Sequence, residues 1–267
     1  MSLDTTLDVP PGPGGARRHI PPDTAGSIRW HTTGLSARGS GGAQADARER
    51  VVRCRGLSYR AEGQAVVDGV SFDIHAGEAF GLFGSDAPAR SAIVAMVCGL
   101  LESGTGSVHL LGTPVERIEP ADLPATVGYV ARSSVLLSSG TIGENLSLWA
   151  RIGDLPDSEH QLRIAGALAQ VGLTTRRDDP VARCTTGTLR ELSVAVALLH
   201  RPRVLVLDEP GTGLTPRGRT RLGATLAGLR DSGVALLCSG AAASDFPGLC
   251  RSAARLENGL LTLDPAA

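Results

Sequence analysis

The sequence predicts an α/β fold in which helices flank a mainly parallel sheet. Short apolar runs alternate with helical segments along most of the chain, which is the pattern of repeated strand–helix units. Val204–Leu207 is an uninterrupted run of valine and leucine, typical of a parallel strand covered on both faces. Ala79–Phe83 is a second short apolar run, and it leads through a glycine-containing loop into an apolar helix.

Each element is predicted from its own pattern. Residues 66–74 alternate between apolar and polar side chains, as a half-buried strand does, whereas residues 234–237 are continuously apolar. The segment 216–231 is predicted to be helical because Leu222, Leu226 and Leu229 share one face. In chain order, strands are predicted at 66–74, 79–83, within 102–112, at 127–130, 204–207 and 234–237, and helices at 90–101, 159–171, 188–200 and 216–231.

Composition separates the start of the chain from the rest. Residues 1–50 are rich in glycine, proline and arginine without hydrophobic periodicity, and they are predicted to be a disordered tail. A partner-docking arm around residues 28–30 is the alternative. Residues 51–267 are predicted to form one domain, in which helical patterns dominate from about 141 to 195.

Charge and cysteine content exclude several classes of protein. The net charge is −1, so the composition does not indicate a nucleic-acid-binding or membrane-surface protein. The longest apolar run, residues 92–101, is about half of the roughly 20 residues that a membrane span needs. No apolar signal segment is found near Met1, and the five cysteines form no C-x-x-C pair. We therefore expect a cytoplasmic protein without a disulfide or metal framework.

Two segments carry residues suited to nucleotide chemistry. Residues 81–91, "GLFGSDAPARS", lie at a predicted strand-to-helix junction, where glycines let successive backbone N–H groups converge on a phosphate. Asp208 and Glu209 follow the buried strand Val204–Leu207, at the end of a parallel strand where such sheets bind ligands. At such a position an Asp can hold Mg²⁺ and a following Glu can orient an attacking water.

With these segments the chain resembles the nucleotide-binding domain of ATP-binding-cassette (ABC) transporters over about residues 51–263. "VVDGVSFDIHAGEAFGLFG" resembles the lead-in to the Walker A loop, and "VGYV" followed by "SGTIGENL" resembles the Q-loop region. "ALLHRPRVLVLDEP" resembles the helix that runs into Walker B. The resemblance implies a P-loop NTPase-type parallel sheet with a small antiparallel β subdomain and a helical insertion subdomain. It also implies ATP and Mg²⁺ as cofactors, an integral-membrane permease as partner, and a homo- or heterodimer of such domains.

The resemblance also implies a role for each matching position. The Q-loop glutamine falls on Arg132, the D-loop aspartate on Thr215 and the switch histidine on Gly240. Glu209 is the position that activates water, and Ser91 with Asp208 would hold Mg²⁺. The phosphate-binding positions are Gly84, Ala87, Ala89, Arg90, Ser91 and Ala92, and the signature falls on Cys184, Thr185, Thr186, Gly187 and Thr188.

Most of these positions depart from the family pattern. Ala87 and Ala89 place Cβ atoms where the backbone must approach phosphate, and Pro88 has no N–H to donate. Arg90 replaces the Walker A lysine, and all 26 basic residues of the chain are arginine. The adenine-stacking aromatic is expected near Ala61, and the nearby candidate, Tyr59, lies two positions early.

These departures predict a degenerate ABC transporter subunit with weak or regulatory ATP binding and impaired hydrolysis. Exchange of lysine for arginine through codon bias does not explain Pro88, Arg132, Thr186 or Gly240, so relaxed selection on ATP turnover explains them better. Two alternatives remain open: a non-enzymatic scaffold or regulator that reuses the fold, and an active ABC ATPase.

Overall fold

Two sheets and six α-helices build the part of the chain that the structure, a computed structural model, describes: residues 49–133 and 135–264. Almost all of the predicted tail, residues 1–48, lies outside the described residues, and the first strand begins at Arg50. In chain order the elements are β1 (Arg50–Ala61), β2 (Gln64–His75), β3 (Ala79–Phe83), α1 (Ala87–Val97), β4 (Thr105–Leu110), β5 (Thr113–Pro114), α2 (Leu123–Thr126), β6 (Val127–Val130), α3 (Ile142–Ile152), α4 (Asp157–Gln170), α5 (Thr186–Ala197), β7 (Val204–Leu207), α6 (Pro216–Asp231), β8 (Ala235–Gly240), β9 (Ser252–Glu257) and β10 (Leu260–Asp264).

The six-stranded sheet has the order β10-β9-β3-β8-β7-β6. From β9 to β6 all neighbours are parallel, and β10 pairs with β9 in the antiparallel direction at one edge. Its centre is apolar because every residue of β7 is buried, as the uninterrupted run of valine and leucine predicts. The predicted α/β class with a parallel sheet flanked by helices is confirmed.

The second sheet has four strands in the order β2-β1-β4-β5, and all of its pairs are antiparallel. It is the small antiparallel β subdomain implied by the resemblance. The strand β1 was not predicted, because arginines interrupt its apolar pattern and the register with β2 shifts at several points. One such shift lies between Cys54 and Leu57, both of which are buried.

The helix after β3 differs from its predicted range, 90–101, at both ends. It begins at Ala87 because Asp86 caps it and because proline is tolerated in the first turn of a helix. It ends at Val97, and Gly99 adopts a left-handed conformation (φ +68°) that stops the helix before residue 101.

The helices α3 to α5 lie within residues 142–197, the range in which helical patterns dominate. A reciprocal capping box between Thr141 and Glu144 starts α3. The division of residues 141–195 into a separate subdomain stays a prediction. Among the described residues, no helix combines the length and the apolar character needed to cross a membrane.

Two clusters of buried apolar side chains stabilise this arrangement. One packs α1 against both sheets, with Ile93, Leu57 and Val206 among its members. The other packs the helices α3 to α6 against the opposite face of the six-stranded sheet, with Leu146 and Leu205 among its members. The successive residues Leu205 and Val206 therefore belong to different clusters, as the alternating faces of a strand require.

Candidate functional site

The candidate site lies along the edge where four neighbouring parallel strands end. The phosphate loop (residues 84–91) follows β3, and Arg132 follows β6 after one intervening residue. Asp208 and Glu209 come directly after β7, and Gly240 is the last residue of β8. Open α/β sheets bind ligands at this edge, so the predicted residues of these four segments are brought to the expected place.

Three backbone N–H groups of the phosphate loop, those of Ala87, Ala89 and Arg90, are bonded to acceptors within the loop. Ala87 donates to the carbonyl of Ser85 at 3.0 Å. Ala89 donates to Oδ1 of Asp86 at 3.1 Å, and Arg90 donates to the carbonyl of Asp86 at 3.1 Å. The proline between Ala87 and Ala89 has no N–H. From position 87 to position 90, no backbone N–H is left to bind a phosphate.

Gly84 is required by a close approach between the phosphate loop and β9. Its φ of +134° lies outside the range that L residues favour. A Cβ atom at this position would lie 2.1 Å from the carbonyl oxygen of Leu256. The contact with the edge of the sheet therefore accounts for this glycine without any nucleotide.

Asp86 uses both oxygens of its carboxylate within the protein. Oδ1 caps α1 through the N–H of Ala89, and Oδ2 accepts a hydrogen bond of 2.9 Å from the N–H of Gly259. Gly259 lies in the turn between β9 and β10. A negative side chain thus occupies the N-terminus of α1, the end of a helix that attracts anions.

Arg90 is buried, with 3% of its surface exposed, and its guanidinium points to protein acceptors. Nη1 donates to the carbonyl of Gly84, and Nη2 donates to Oε1 of Glu209 at 2.7 Å. Nε is buried and has no hydrogen-bond partner. The position that carries the Walker A lysine in the family is therefore paired with the Walker B glutamate.

Ser239, on β8, links the two acidic residues that follow β7. Its hydroxyl donates to Oδ1 of Asp208 at 2.7 Å and accepts the N–H of Glu209 at 3.1 Å. Asp208 is buried, and Glu209 has a left-handed backbone conformation with φ of +46°. A non-glycine residue in this region is strained, and the hydrogen bond from its N–H to Ser239 helps to hold it there.

The second oxygen of Glu209 has two further partners. Oε2 lies 3.3 Å from Nε of Arg132 and accepts a hydrogen bond of 3.2 Å from the hydroxyl of Thr212. The backbone of Arg132 is held by Arg190, whose guanidinium donates to the carbonyls of Ala131 and Arg132 at 2.8 and 3.0 Å. Burial lowers the pKa of Arg190, and the negative charge of Asp208 opposes this shift.

The two positions implied for Mg²⁺ differ in their surroundings. Ser91 is exposed in the first turns of α1, whereas Asp208 is buried and shares Oδ1 with Ser239. Ala92 is buried in the core. No group of three or more His, Cys, Asp or Glu residues within the described residues could hold a metal by itself. A cation here would depend on oxygens supplied by a bound phosphate.

The signature-equivalent residues lie at the start of α5, on a different segment from the phosphate loop. Thr185 caps this helix by accepting the N–H of Thr188, and Thr186 and Gly187 form its first turn. Thr188 is buried and accepts a hydrogen bond of 2.9 Å from Arg176. Within the described part of the chain, no hydrogen bond joins these residues to Arg90 or Asp208.

The remaining predicted positions take structural roles. Gly240 leaves no side chain beside Phe83, whose ring would lie 3.7 Å from an added Cβ atom. Thr215 caps α6 by accepting the N–H of Gly218 at 3.1 Å. Tyr59 is partly buried and packs against the core cluster between the two sheets.

Four residues of this site were not singled out from the sequence: Asp86, Ser239, Thr212 and Arg190. Asp86 had a signal, because an Asp just before a proline-containing first turn is typical of a helix cap. Ser239 and Arg190 had none, since their partners are 31 and at least 58 residues away along the chain.

The arrangement that the structure shows does not fit a bound nucleoside triphosphate. The N–H groups of Ala87, Ala89 and Arg90 have acceptors within the loop, the Asp86 carboxylate lies at the N-terminus of α1, and the guanidinium of Arg90 is paired with Glu209. The buried Nε of Arg90 has no partner, and an additional acceptor would satisfy it.

The fold and the position of these residues are those of a P-loop NTPase-type nucleotide-binding domain. The family model described as "ABC transporter" matches residues 67–212, just over half of the chain. The chain is 29% identical over 196 residues to the linearmycin resistance ATP-binding protein LnrL of Bacillus subtilis, an alignment that covers 73% of this chain and 63% of that protein. It is 31% identical over 209 residues to a Nod factor export ATP-binding protein I of Ralstonia nicotianae, covering 78% of this chain and 65% of that protein.

Solved structures show the same fold. The structure of cbiO1 from Clostridium perfringens, described as part of the ABC transporter complex cbiONQ, superposes with a TM-score of 0.73 at 22% identity. The superposition covers 80% of this chain and 88% of that one. The structure of a nucleotide-free ATP-binding cassette from an ABC transporter gives a TM-score of 0.73 at 17% identity, covering 82% and 92% of the two chains.

The chain belongs to the ABC transporter family, as a nucleotide-binding domain. It spans less than two thirds of the length of the two curated relatives described above.

Proposed function

We propose that this chain is an ABC transporter ATP-binding subunit in which ATP binding is weak or regulatory and hydrolysis is impaired. The observation that carries the proposal is the phosphate loop, where the N–H groups of Ala87, Ala89 and Arg90 already have acceptors. A phosphate would have to displace the Asp86 carboxylate to reach the N–H of Ala89, and the backbone carbonyls of Ser85 and Asp86 to reach those of Ala87 and Arg90.

Hydrolysis needs further groups that this chain replaces. The Q-loop and switch positions carry Arg132 and Gly240, and the signature carries Thr186 in place of a glycine. The loss of one preorganised donor typically lowers a catalytic rate by about 10²–10³. Several replacements together reduce turnover to background, because the groups act as a unit.

Glu209 is the residue to which hydrolysis would assign the attacking water. Its two carboxylate oxygens already accept from Arg90, Arg132 and Thr212. A carboxylate with these partners is poorly placed to take a proton from water. If ATP and Mg²⁺ bind, Ser91 and Asp208 are the residues that would hold the cation.

The test is equilibrium binding of labelled ATP with Mg²⁺, together with phosphate release, on the purified chain. We expect weak binding and no turnover above that of a sample without protein. The variant Arg90→Ala is expected to weaken the binding that remains if Arg90 contacts phosphate. Turnover near or above about 1 s⁻¹, within the ordinary range of enzymes, would contradict the proposal.

We further propose that the subunit docks on a separate integral-membrane permease and thereby lies at the inner face of the membrane. A surface groove of about 390 Å³ lies between the end of α1, β6 and α3, and its lining includes Leu100, Tyr129, Trp149, Ile152 and His200. Leu100 and Ile152 are 65% and 58% exposed, which is unusual for large apolar side chains that lie close together. Two relatives are named as ATP-binding proteins of export or resistance, which fits a permease partner.

The groove predicts a specific defect. Ile152→Glu places a charge on an apolar docking surface and is expected to abolish co-purification with the proposed permease partner. Leu260→Glu is the matched control, because Leu260 is similarly exposed (57%) but lies on β10. Equal co-purification of both variants would contradict docking through this groove.

A scaffold or regulator without a nucleotide cycle is the second candidate. The same engaged loop favours it, since a site filled by its own side chains has no need of a ligand for stability. Absence of ATP binding even at high concentration, with permease docking retained, would favour the scaffold. The subunit is also expected to pair with a second copy or with another cassette, and sedimentation of the purified chain with and without that cassette tests this.

A further inference from the structure

Glu209 lies between two arginines that come from different segments of the site. Its Oε1 accepts from Nη2 of Arg90 at 2.7 Å, and its Oε2 lies 3.3 Å from Nε of Arg132. We call Arg90, Glu209 and Arg132 the ion-pair triad. It connects the phosphate loop, the loop after β7 and the segment after β6 across the edge of the sheet.

The triad is unequal in exposure. Arg90 and Glu209 are 3% and 14% exposed at their side chains, whereas Arg132 is 58% exposed. A buried charge pair is held more strongly than an exposed one, because water screens it less. The ion pair between Arg90 and Glu209 is therefore the stronger of the two pairs in the triad, and the pair between Arg132 and Glu209 is the weaker, solvent-exposed one.

Arginine at position 90 is suited to this contact. Arg90 uses one nitrogen for the carbonyl of Gly84 and another for Glu209, so that its planar fork bridges the loop and the carboxylate. A lysine has a single nitrogen and cannot present two separate donor atoms in a fixed plane. The replacement of the Walker A lysine thus creates a bridge inside the protein.

The backbone around Glu209 is also fixed. Its left-handed conformation (φ +46°) is supported by the hydrogen bond from its N–H to Ser239, and its carboxylate is further held by Thr212. Strained residues persist where several contacts determine their position. Here these contacts direct the carboxylate toward Arg90 rather than toward open solvent.

We propose that Glu209 acts as an internal counter-ion, and that the ion-pair triad is an autoinhibitory contact that excludes a nucleotide phosphate from Arg90. The inference rests on the proposed function, because it gives the reason for weak ATP binding. It also assigns to the Walker B glutamate a role in holding the site closed. Breaking the triad frees a buried guanidinium for an external anion.

The triad also ties the nucleotide edge to the proposed docking groove. Arg132 follows Tyr129, which lines the groove, by three residues, and its backbone carbonyl is held by Arg190 of α5. Release of Glu209 therefore removes a restraint from the segment after β6.

The test compares variants of the full chain for binding of a non-hydrolysable ATP analogue with Mg²⁺ and for thermal stability. In Glu209→Gln, we expect at least tenfold tighter binding, because Arg90 is released. We also expect a Tm lower by roughly 5–10 °C, because a buried charge loses its partner. The analogue removes any contribution from lost hydrolysis. Arg255→Gln is the control, since it breaks an exposed ion pair with Glu257 on β9 and should change neither quantity.

A double variant separates release of Arg90 from simple loss of negative charge. If the gain comes from release of Arg90, Glu209→Gln should tighten binding in the wild type but not when it is added to Arg90→Gln, so the double variant should bind the analogue no more tightly than Arg90→Gln alone. A double variant that binds more tightly than Arg90→Gln alone would overturn the proposal, because loss of the negative charge would then be sufficient. If Glu209→Gln does not fold, Arg132→Gln serves instead, and it should speed amide hydrogen exchange in the segment that begins at Ala131. Unchanged exchange there would contradict the triad.

The two proposals fail in different ways. Tight binding and turnover by the wild type would overturn the proposed function, whatever the variants do. Weak binding by the wild type with no gain in Glu209→Gln would overturn the triad alone. Weak binding with a gain that needs Arg90 supports both.

Discussion

Asp86 stabilises two parts of the molecule through one carboxylate. Its Oδ1 caps the N-terminus of α1, and its Oδ2 accepts the N–H of Gly259 in the turn between β9 and β10. The turn is itself fixed to β2, because the N–H of Asp68 donates to the carbonyl of Gly259 at 2.9 Å. A residue in the phosphate loop thus serves the fold, and this explains why an acidic side chain is tolerated where anions bind in relatives of this fold class.

The change Asp86→Ala should lower the free energy of unfolding by about 1–2 kcal/mol, because it removes a helix cap and leaves the N–H of Gly259 without its acceptor. Urea unfolding measures the loss. Asp122→Ala is the matched control, since Asp122 precedes α2 without making a capping hydrogen bond, and its change should stay within about 0.5 kcal/mol. Equal losses in the two variants would show that the Asp86 cap contributes nothing.

The side chain of Asn145, in the first turn of α3, holds the loop between β6 and α3 through hydrogen bonds. It is fully buried, and its side chain donates to the carbonyls of Leu137 and Thr141 and accepts the N–H of Leu137. These three bonds join the start of α3 to the loop that follows Arg132. The described residues of this loop, 131–133 and 135–141, form no helix or strand, so hydrogen bonds such as these help to position them.

Asn145→Ala should therefore cost about 2–3 kcal/mol of stability, because it removes the three hydrogen bonds that this buried side chain makes. Chemical denaturation followed by circular dichroism gives the value. Gln161→Ala provides the comparison, since Gln161 is exposed on α4 and makes one exposed hydrogen bond to Arg177, and its loss should be within about 0.5 kcal/mol. A loss of stability below about 1 kcal/mol for Asn145→Ala would contradict the view that Asn145 stabilises this loop.

The elements also show which parts of the fold the sequence could predict. The strands β3, β6 and β7 and the helix α6 have the predicted bounds, because each is a short apolar run or a periodic helix between clear turn signals. The strands β1, β9 and β10 were not predicted, because charged and small residues interrupt their apolar patterns. Their strand conformation depends on pairing with neighbouring strands rather than on the local sequence.

The candidate site, like the fold, has some features that the sequence could predict and others that it could not. Its position at the ends of β3 and β7 follows from local sequence. The pairing of Arg90 with Glu209 joins residues 119 positions apart and depends on side-chain geometry that no local pattern records. The departures from the family pattern could be predicted one residue at a time, whereas the contacts that the substituted residues make could not.

The predicted site positions lie on five separate parts of the molecule: the ends of four different strands and the start of α5. Each contributes a position that the family uses and that this chain replaces or engages internally, such as Arg132 and Thr186. The absence of lysine contributes to one of these segments and does not explain the others. Binding and hydrolysis should therefore respond separately when one segment is restored.

The combined change Ala87→Gly, Ala89→Gly and Arg90→Lys restores two glycines and the lysine of the phosphate loop and removes the arginine fork that contacts both Gly84 and Glu209. We expect ATP to bind at least tenfold more tightly, because the backbone can rearrange toward phosphate without Cβ atoms at the two alanine positions. Turnover should stay at background, since Arg132, Gly240 and Thr186 are unchanged and each missing group costs about 10²–10³ in rate.

Equilibrium binding and phosphate release measure the two quantities on one preparation. Arg90→Lys alone is the control and should gain less, because it leaves both alanines in the loop. Turnover near 1 s⁻¹ in the triple variant, on the order of ordinary enzymes, would mean that the loop alone had limited hydrolysis, and unchanged binding would mean that the loop no longer serves nucleotide at all.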